Sequence, residues 1–213
     1  MTLFQFLLTI HVAGGFTSLL LGLYVMIAKK GDTFHKKIGK IYFYALLSAA
    51  IVAIPMSYIH PNFFLFLISI FTIYMLLTGV RYLNKKDLSK VNHIDWAIAI
   101  VMLIFALIFI GLGIFYLTNG NNFGIVLVVF GAISLLFSYH DWRSFRGYSP
   151  IKNVYLTTHI QRMVGSYIAS ATAFLVVNNT FLPSVVAWLL PTVLVVPLIV
   201  IWTKKYKVMK NKA

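Results

Sequence analysis

Arg162 is the residue whose position first asks for chemistry. It stands about two turns into an apolar run that begins near Val154. An ionised guanidinium at that depth is costly unless it meets a partner or water, which makes it a functional-site candidate by default. On a helix it shares one face with His159, Ser166 and Ser170. The groups that topology carries to the same membrane boundary are His35, His93, His140, Asp32, Asp95 and Asp141. Such a set could hold a divalent metal through imidazole and carboxylate, an anion through the guanidinium, or an activated water. Arg162 and Asp141 are therefore expected as the reacting pair, and His35, His140 and His159 as metal ligands. Together with His11, these three histidines are also expected as cofactor ligands.

Each of these residues also has a plainer reading. Asp32 and Asp95 stand where a helix N-cap would be, and negative charge suits that end of a helix. Asp87 reads as solvated, and His60 and His93 as interfacial histidines in links. His35, His140 and His159 could be hydrogen-bonded boundary residues, and His11 an interior hydrogen-bonded group or a proton relay. Arg162 could cap backbone carbonyls or snorkel to phosphates. Trp96, Trp142 and Trp202 suit an interfacial anchoring belt.

The elements that must position these groups are membrane helices. The chain of 213 residues is 61 % hydrophobic and 10 % charged, with a mean hydropathy of +0.90, against about 45–50 % and about 25 % in a soluble domain. Apolar runs of spanning length cover Phe4–Ala28, Ile38–Ile59, Phe63–Leu83, Trp96–Thr118, Phe123–Tyr139, Val154–Val177 and Ser184–Trp202. They lack the alternation of barrel strands, and backbone groups in hydrocarbon must bond within their own segment, so each predicts a helix. The expected fold is an all-α polytopic bundle of about seven transmembrane helices over residues 1–203, followed by a short basic tail, 204–213. No separate soluble domain is left over.

Charge sets the orientation. The links after the first, third and fifth runs carry Lys29 to Lys40, Arg81 to Lys90, and Arg143 to Lys152, and the tail carries Lys204 to Lys212. The links His60–Asn62, Asn119–Asn122 and Asn178–Pro183 carry no Lys or Arg. The positive-inside rule then predicts the N-terminus outside and the C-terminus inside, and the chain is expected to be a multi-pass protein of the cell's inner (plasma) membrane. The net charge of +14 is a topology signal, and nucleic acid is not an expected partner, because that needs a basic face on a water-soluble fold. The first run has no basic leader and is expected to be retained as a helix. The chain contains no Cys, which excludes disulfides, thiolate catalysis and Cys-ligated metal centres. It also contains no Glu, so paired-carboxylate chemistry has few candidates.

Small residues let membrane helices approach closely. His11, Gly14, Gly15, Ser18 and Gly22 form such a stripe on the first helix and predict that His11 faces the bundle interior in the outer half. Pro55, Pro191 and Pro197 are expected to bend the second and seventh helices.

The string His11-x-x-Gly14-Gly15, Leu19-Leu20-x-Gly22, then His35-Lys36-Lys37-x-Gly39-Lys40-x-Tyr42 resembles an uncharacterised family of bacterial multi-span membrane proteins, catalogued only as a domain of unknown function. His159-x-x-Arg162-Met163 is similar to a later His-and-Arg-Met segment of that family. The resemblance covers roughly the first fifth of the chain and implies that His11, His35 and His159 act together. It implies nothing about a substrate.

Three functions suit these residues. Histidines on adjacent spans are the usual ligands of membrane haem b, which favours membrane redox chemistry. Three histidines and an Asp-polarised water would suffice for a zinc-dependent membrane hydrolase acting on a lipid or small molecule from the cytoplasmic side. A path lined by His11, Ser18, Arg162, Ser166 and Ser170 would suit a proton-coupled small-molecule transporter.

Overall fold

A computed structural model of the chain describes residues 1–85 and 91–209, apart from the side chain of Phe64. Asp87, Lys90 and Lys212, named above, lie outside the described residues. Seven helices make up the fold: α1 (Leu3–Ile27), α2 (Thr33–Ile59), α3 (Phe63–Asn84), α4 (His93–Thr118), α5 (Phe123–Phe145), α6 (Val154–Val177) and α7 (Ser184–Tyr206). All seven are long and apolar enough to cross a membrane. Among the described residues there is no strand, only a single antiparallel bridge between Ile151 and Met209.

Of the helices that begin or end beyond their apolar runs, three do so for a clear local reason. α2 begins at Thr33, because Asp32 caps it by accepting the His35 N–H at 2.7 Å. α4 begins at His93, capped by Asn92 in a reciprocal box with Asp95. Asp95 is thus the third residue of the helix and not its cap. α5 runs to Phe145, so His140 and Asp141 lie within it, because Asp141 finds partners inside the bundle.

α3 and α6 pack together at the centre. α1 and α2 form a close pair against one side of them, α4 and α5 a second pair on the other, and α7 lies against α6 and α5. Glycines set the close approaches. A Cβ at Gly14 would stand 2.6 Å from the Ala45 carbonyl oxygen of α2, and one at Gly124 would stand 2.4 Å from the Gly113 oxygen of α4. The α1 stripe faces inward as expected, with Ser18 fully buried and Gly22 closed by Tyr42 and Tyr167. Gly15 is the exception, with open space beside it.

The main apolar core joins α3, α4 and α5 through Phe71, Met75, Met102, Phe109 and Phe130, with Trp188 of α7. α3 and α6 cross where a Cβ on Gly79 would meet Met163 Sδ at 3.0 Å and Arg162 Cβ at 3.1 Å. That crossing fixes the height of Arg162. If every helix crosses, the basic links and the C-terminus share one end of the bundle, here the basic end, and the opposite end carries no Lys or Arg in its links.

Candidate functional site

Arg162 lies in the core between α3, α5 and α6, and it and Asp141 have side chains only 1 % exposed. Its Nη2 donates to Asp141 Oδ1 at 2.9 Å and to the Phe137 carbonyl at 3.1 Å. Asp141 also accepts from two α3 hydroxyls, Tyr74 at 2.5 Å and Tyr82 at 2.9 Å. The guanidinium carbon lies 3.7 Å from the Phe137 ring centroid and 4.9 Å from that of Tyr74, within cation–π range. Both charges are therefore paired and hydrogen-bonded, which is what makes their burial tolerable. Nε and Nη1 of Arg162 remain buried without a hydrogen-bond partner.

Neighbouring hydroxyls are buried but largely self-satisfied. Ser134 and Ser138 of α5 donate to the carbonyls of Phe130 and Ser134 in their own helix. Ser166 lies 2.8 Å from the Tyr42 hydroxyl, tying α6 to α2, whereas Ser170 donates to Tyr167 of its own helix. Tyr42 stands in the sequence only as the last residue of the string that carries the family resemblance, and Tyr74 and Tyr82 were missed from sequence. They read there as ordinary membrane aromatics, and only their spacing to a buried acid or hydroxyl on another helix distinguishes them.

The histidines do not all join this cluster. His159, one turn before Arg162, has its Nδ1 3.0 Å from the Gly79 carbonyl oxygen of α3. A carbonyl only accepts, so Nδ1 carries the proton, and a neutral ring then presents Nε2 as a bare lone pair. That arrangement, an imidazole oriented by a backbone carbonyl, is the one metal-ligating histidines use. His35, in the first turn of α2, lies within electrostatic reach of His159 and has a buried Nδ1 with no partner. Lys30 and Lys36 lie within electrostatic reach of His35.

Lys30 itself folds back to cap α1, donating to the carbonyls of Val25, Met26 and Ala28. It lies 5.0 Å from the Trp202 ring centroid of α7. Partial burial pulls its ammonium below the ordinary lysine pKa.

His11 uses the same device as His159 elsewhere: its Nδ1 lies 2.9 Å from the Ala49 carbonyl oxygen of α2. It stands 16 residues before the end of α1 at Ile27, or about 24 Å of helix rise from the basic end. The joint action of His11, His35 and His159 implied by the resemblance therefore has no single centre to act through.

His140 corrects the expected trio. It is exposed while Asp141, the next residue, is fully buried, because successive residues on an α-helix point about 100° apart. Among the described residues no three His, Asp or Glu side chains are grouped to hold a metal ion. His35, His140 and His159 are thus not assembled as a zinc centre. Asp95 is engaged elsewhere, by Arg81 at 2.6 Å and by Lys85, and His93 is the exposed first residue of α4.

At the basic end His35 and His159 lie within electrostatic reach of each other, and among the described residues no third His, Asp or Glu joins them in a metal-holding group. No family model matches the chain, and neither a curated protein nor a solved structure resembles it significantly.

Proposed function

We propose that the chain is a membrane redox protein of the bacterial inner membrane, its N-terminus outside, that holds haem b through His35 and His159 at the basic, cytoplasmic end of the bundle. One observation carries the reading. His159 donates its Nδ1 proton to the Gly79 carbonyl, which in a neutral ring leaves Nε2 as the free lone pair, and it lies within electrostatic reach of His35, whose buried Nδ1 has no hydrogen-bond partner. Such a haem would supply one-electron transfer. His159 would ligate in an orientation held by Gly79, and the Arg162–Asp141 pair would fix the rotation and height of α6 that present it. Lys36 is a cation within electrostatic reach of His35 at that boundary. The family resemblance through His11, His35 and His159 belongs to the same proposal, with His11 as a hydrogen-bonded structural residue.

The test is the visible spectrum of protein expressed with a haem supply and purified in detergent, with elemental analysis for zinc. A Soret band is expected in the wild type and in H11A, and is expected to be lost in H35A and H159A. Equal Soret intensity in all four would overturn the assignment, as would stoichiometric zinc without colour.

One further observation favours transport as a second reading. Arg162 keeps two buried donor groups without partners beside the α3, α5 and α6 hydroxyls. Proton-coupled flux in liposomes that is lost in R162K would support it.

A further inference from the structure

The last turns of α5 carry side chains that neither the histidine pair nor the core uses. Tyr139 stands three and four residues before Trp142 and Arg143, and His140 three before Arg143, so they share the outward face of the helix while Asp141 turns inward. The rings lock together. Trp142 stacks on Tyr139 with centroids 6.1 Å apart and meets Tyr148 of the following link edge-on at 6.0 Å. Arg143 is held against both ends of this group: its guanidinium carbon lies 5.8 Å from the Tyr139 ring centroid, and its Nη2 donates to the Tyr148 carbonyl at 3.2 Å. Tyr139, His140, Trp142 and Tyr148 are nevertheless exposed. An arginine whose orientation is already fixed has little freedom left to lose on meeting a ligand.

Charge and depth say which ligand. Several other cations at this end are spent: Arg81 and Lys85 on Asp95, and Lys30 on three backbone carbonyls. Arg143 has used one of the five N–H donors of a guanidinium, and among the described residues no carboxylate pairs with it. From Trp142 to Asn153 the chain carries Arg143, Arg146 and Lys152 and no Asp or Glu. An anionic group is therefore matched here, whereas an ammonium would meet only cations. Arg143 stands about 6 Å of helix rise beyond Tyr139, where the apolar run ends, and the same face continues inward through exposed Leu135 and Leu136. Aliphatic side chains, then interfacial rings, then a guanidinium match the acyl chains, glycerol and phosphate of a phospholipid in that order.

We infer that this face of α5 is a binding site for an anionic phospholipid, a phosphodiester with an uncharged polyol headgroup, from the leaflet at the basic end. Arg143 donates to the phosphate oxygens through N–H groups it has not yet used, His140 adds a ring N–H, and the acyl chains lie along Leu135 and Leu136. The site is separate from the histidine pair and does not depend on it.

Native mass spectrometry of the full chain in detergent tests this, with phosphatidylglycerol or phosphatidylcholine of the same acyl chains titrated in. The wild type is expected to retain phosphatidylglycerol more tightly than phosphatidylcholine. R143Q is expected to weaken that binding about tenfold, the lower end for a hydrogen bond to a charged group. R143K is expected to weaken it by less, because the charge stays while the planar fork is lost. K37Q, which removes an exposed cation of α2 at the same end, is expected to leave it unchanged. Thermal midpoints are measured alongside, and if R143Q fails to fold, R143K against K37Q decides. Equal retention of the two lipids would overturn the proposal, as would equal losses in the Arg143 variants and K37Q. So would tighter retention of phosphatidylcholine, which would make the rings a cage for its quaternary ammonium. Displacement of bound phosphatidylglycerol by soluble glycerophosphate would also overturn it, by making the occupant a free phosphate ester.

Discussion

Asp141 and Asp95 are both carboxylates held by cations and further donors, yet they hold the bundle in different ways. Asp141 sits in the core with a partner that is 1 % exposed, and it takes donors from α3 and α6 while itself on α5. Asp95 is also buried, but its cations Arg81 and Lys85 are 27 % and 17 % exposed at the basic end, and part of its bonding is local, to the Asn92 N–H at 2.9 Å. The difference teaches where a charge becomes structural. At the rim, lipid headgroups and water can replace a lost partner; in the core nothing can, so each member there obliges the others.

The comparison breaks most sharply by removing one core partner. R162M should cost about 3–5 kcal/mol, because it leaves Asp141 as an uncompensated buried charge. The double variant R162M/D141N should recover part of that loss, and thermal unfolding in detergent reads both. Smaller, and informative about how the acid is shared, are Y74F and Y82F, each expected to cost about 1.5–3 kcal/mol as a hydrogen bond to a charged acceptor. Equal and negligible losses there would mean that Arg162 alone holds Asp141.

G79A tests whether the core cluster depends on helix height. Its added methyl would press on Met163 and on Arg162 Cβ, and an overpacked site of this kind costs about 1–3 kcal/mol. If His159 loses its carbonyl as α3 and α6 separate, the same variant should also lose any Soret band. The smallest effect belongs to the rim. D95N should cost about 1 kcal/mol or less. Raising salt to 1 M, where the Debye length is about 3 Å, should shrink that difference while leaving the R162M penalty unchanged. A D95N penalty as large and as salt-insensitive as that of R162M would erase the distinction.

Much of the fold was legible because hydrocarbon admits few alternatives: a long apolar run without alternation must be a helix. Helix ends were less legible, since hydropathy stops at Tyr139 while α5 continues to Phe145. What extends it is a buried acid whose partners lie on α3 and α6. The Arg162–Asp141 pairing could be anticipated from depth and a shared boundary. The exclusion of His140 could not, because it needs the rotation of α5 as well as its depth. Tyr74 and Tyr82 carried no signal among 12 tyrosines until α3 was set against α5.

Composition and the alternation of basic and uncharged links determined by themselves that the chain is a multi-span helical membrane protein, and which links gather at one end. One-dimensional hydropathy measures the transfer of each segment from water, and that term does not depend on neighbours. Which polar residues meet was decided only by tertiary structure: Arg162 with Asp141, His159 with Gly79, and His11 with Ala49 on a different helix pair. Between helices already in lipid, burial from water no longer discriminates. Glycine contacts, ring packing and hydrogen bonds select the rotation of each helix, and a sequence read one span at a time does not contain that choice.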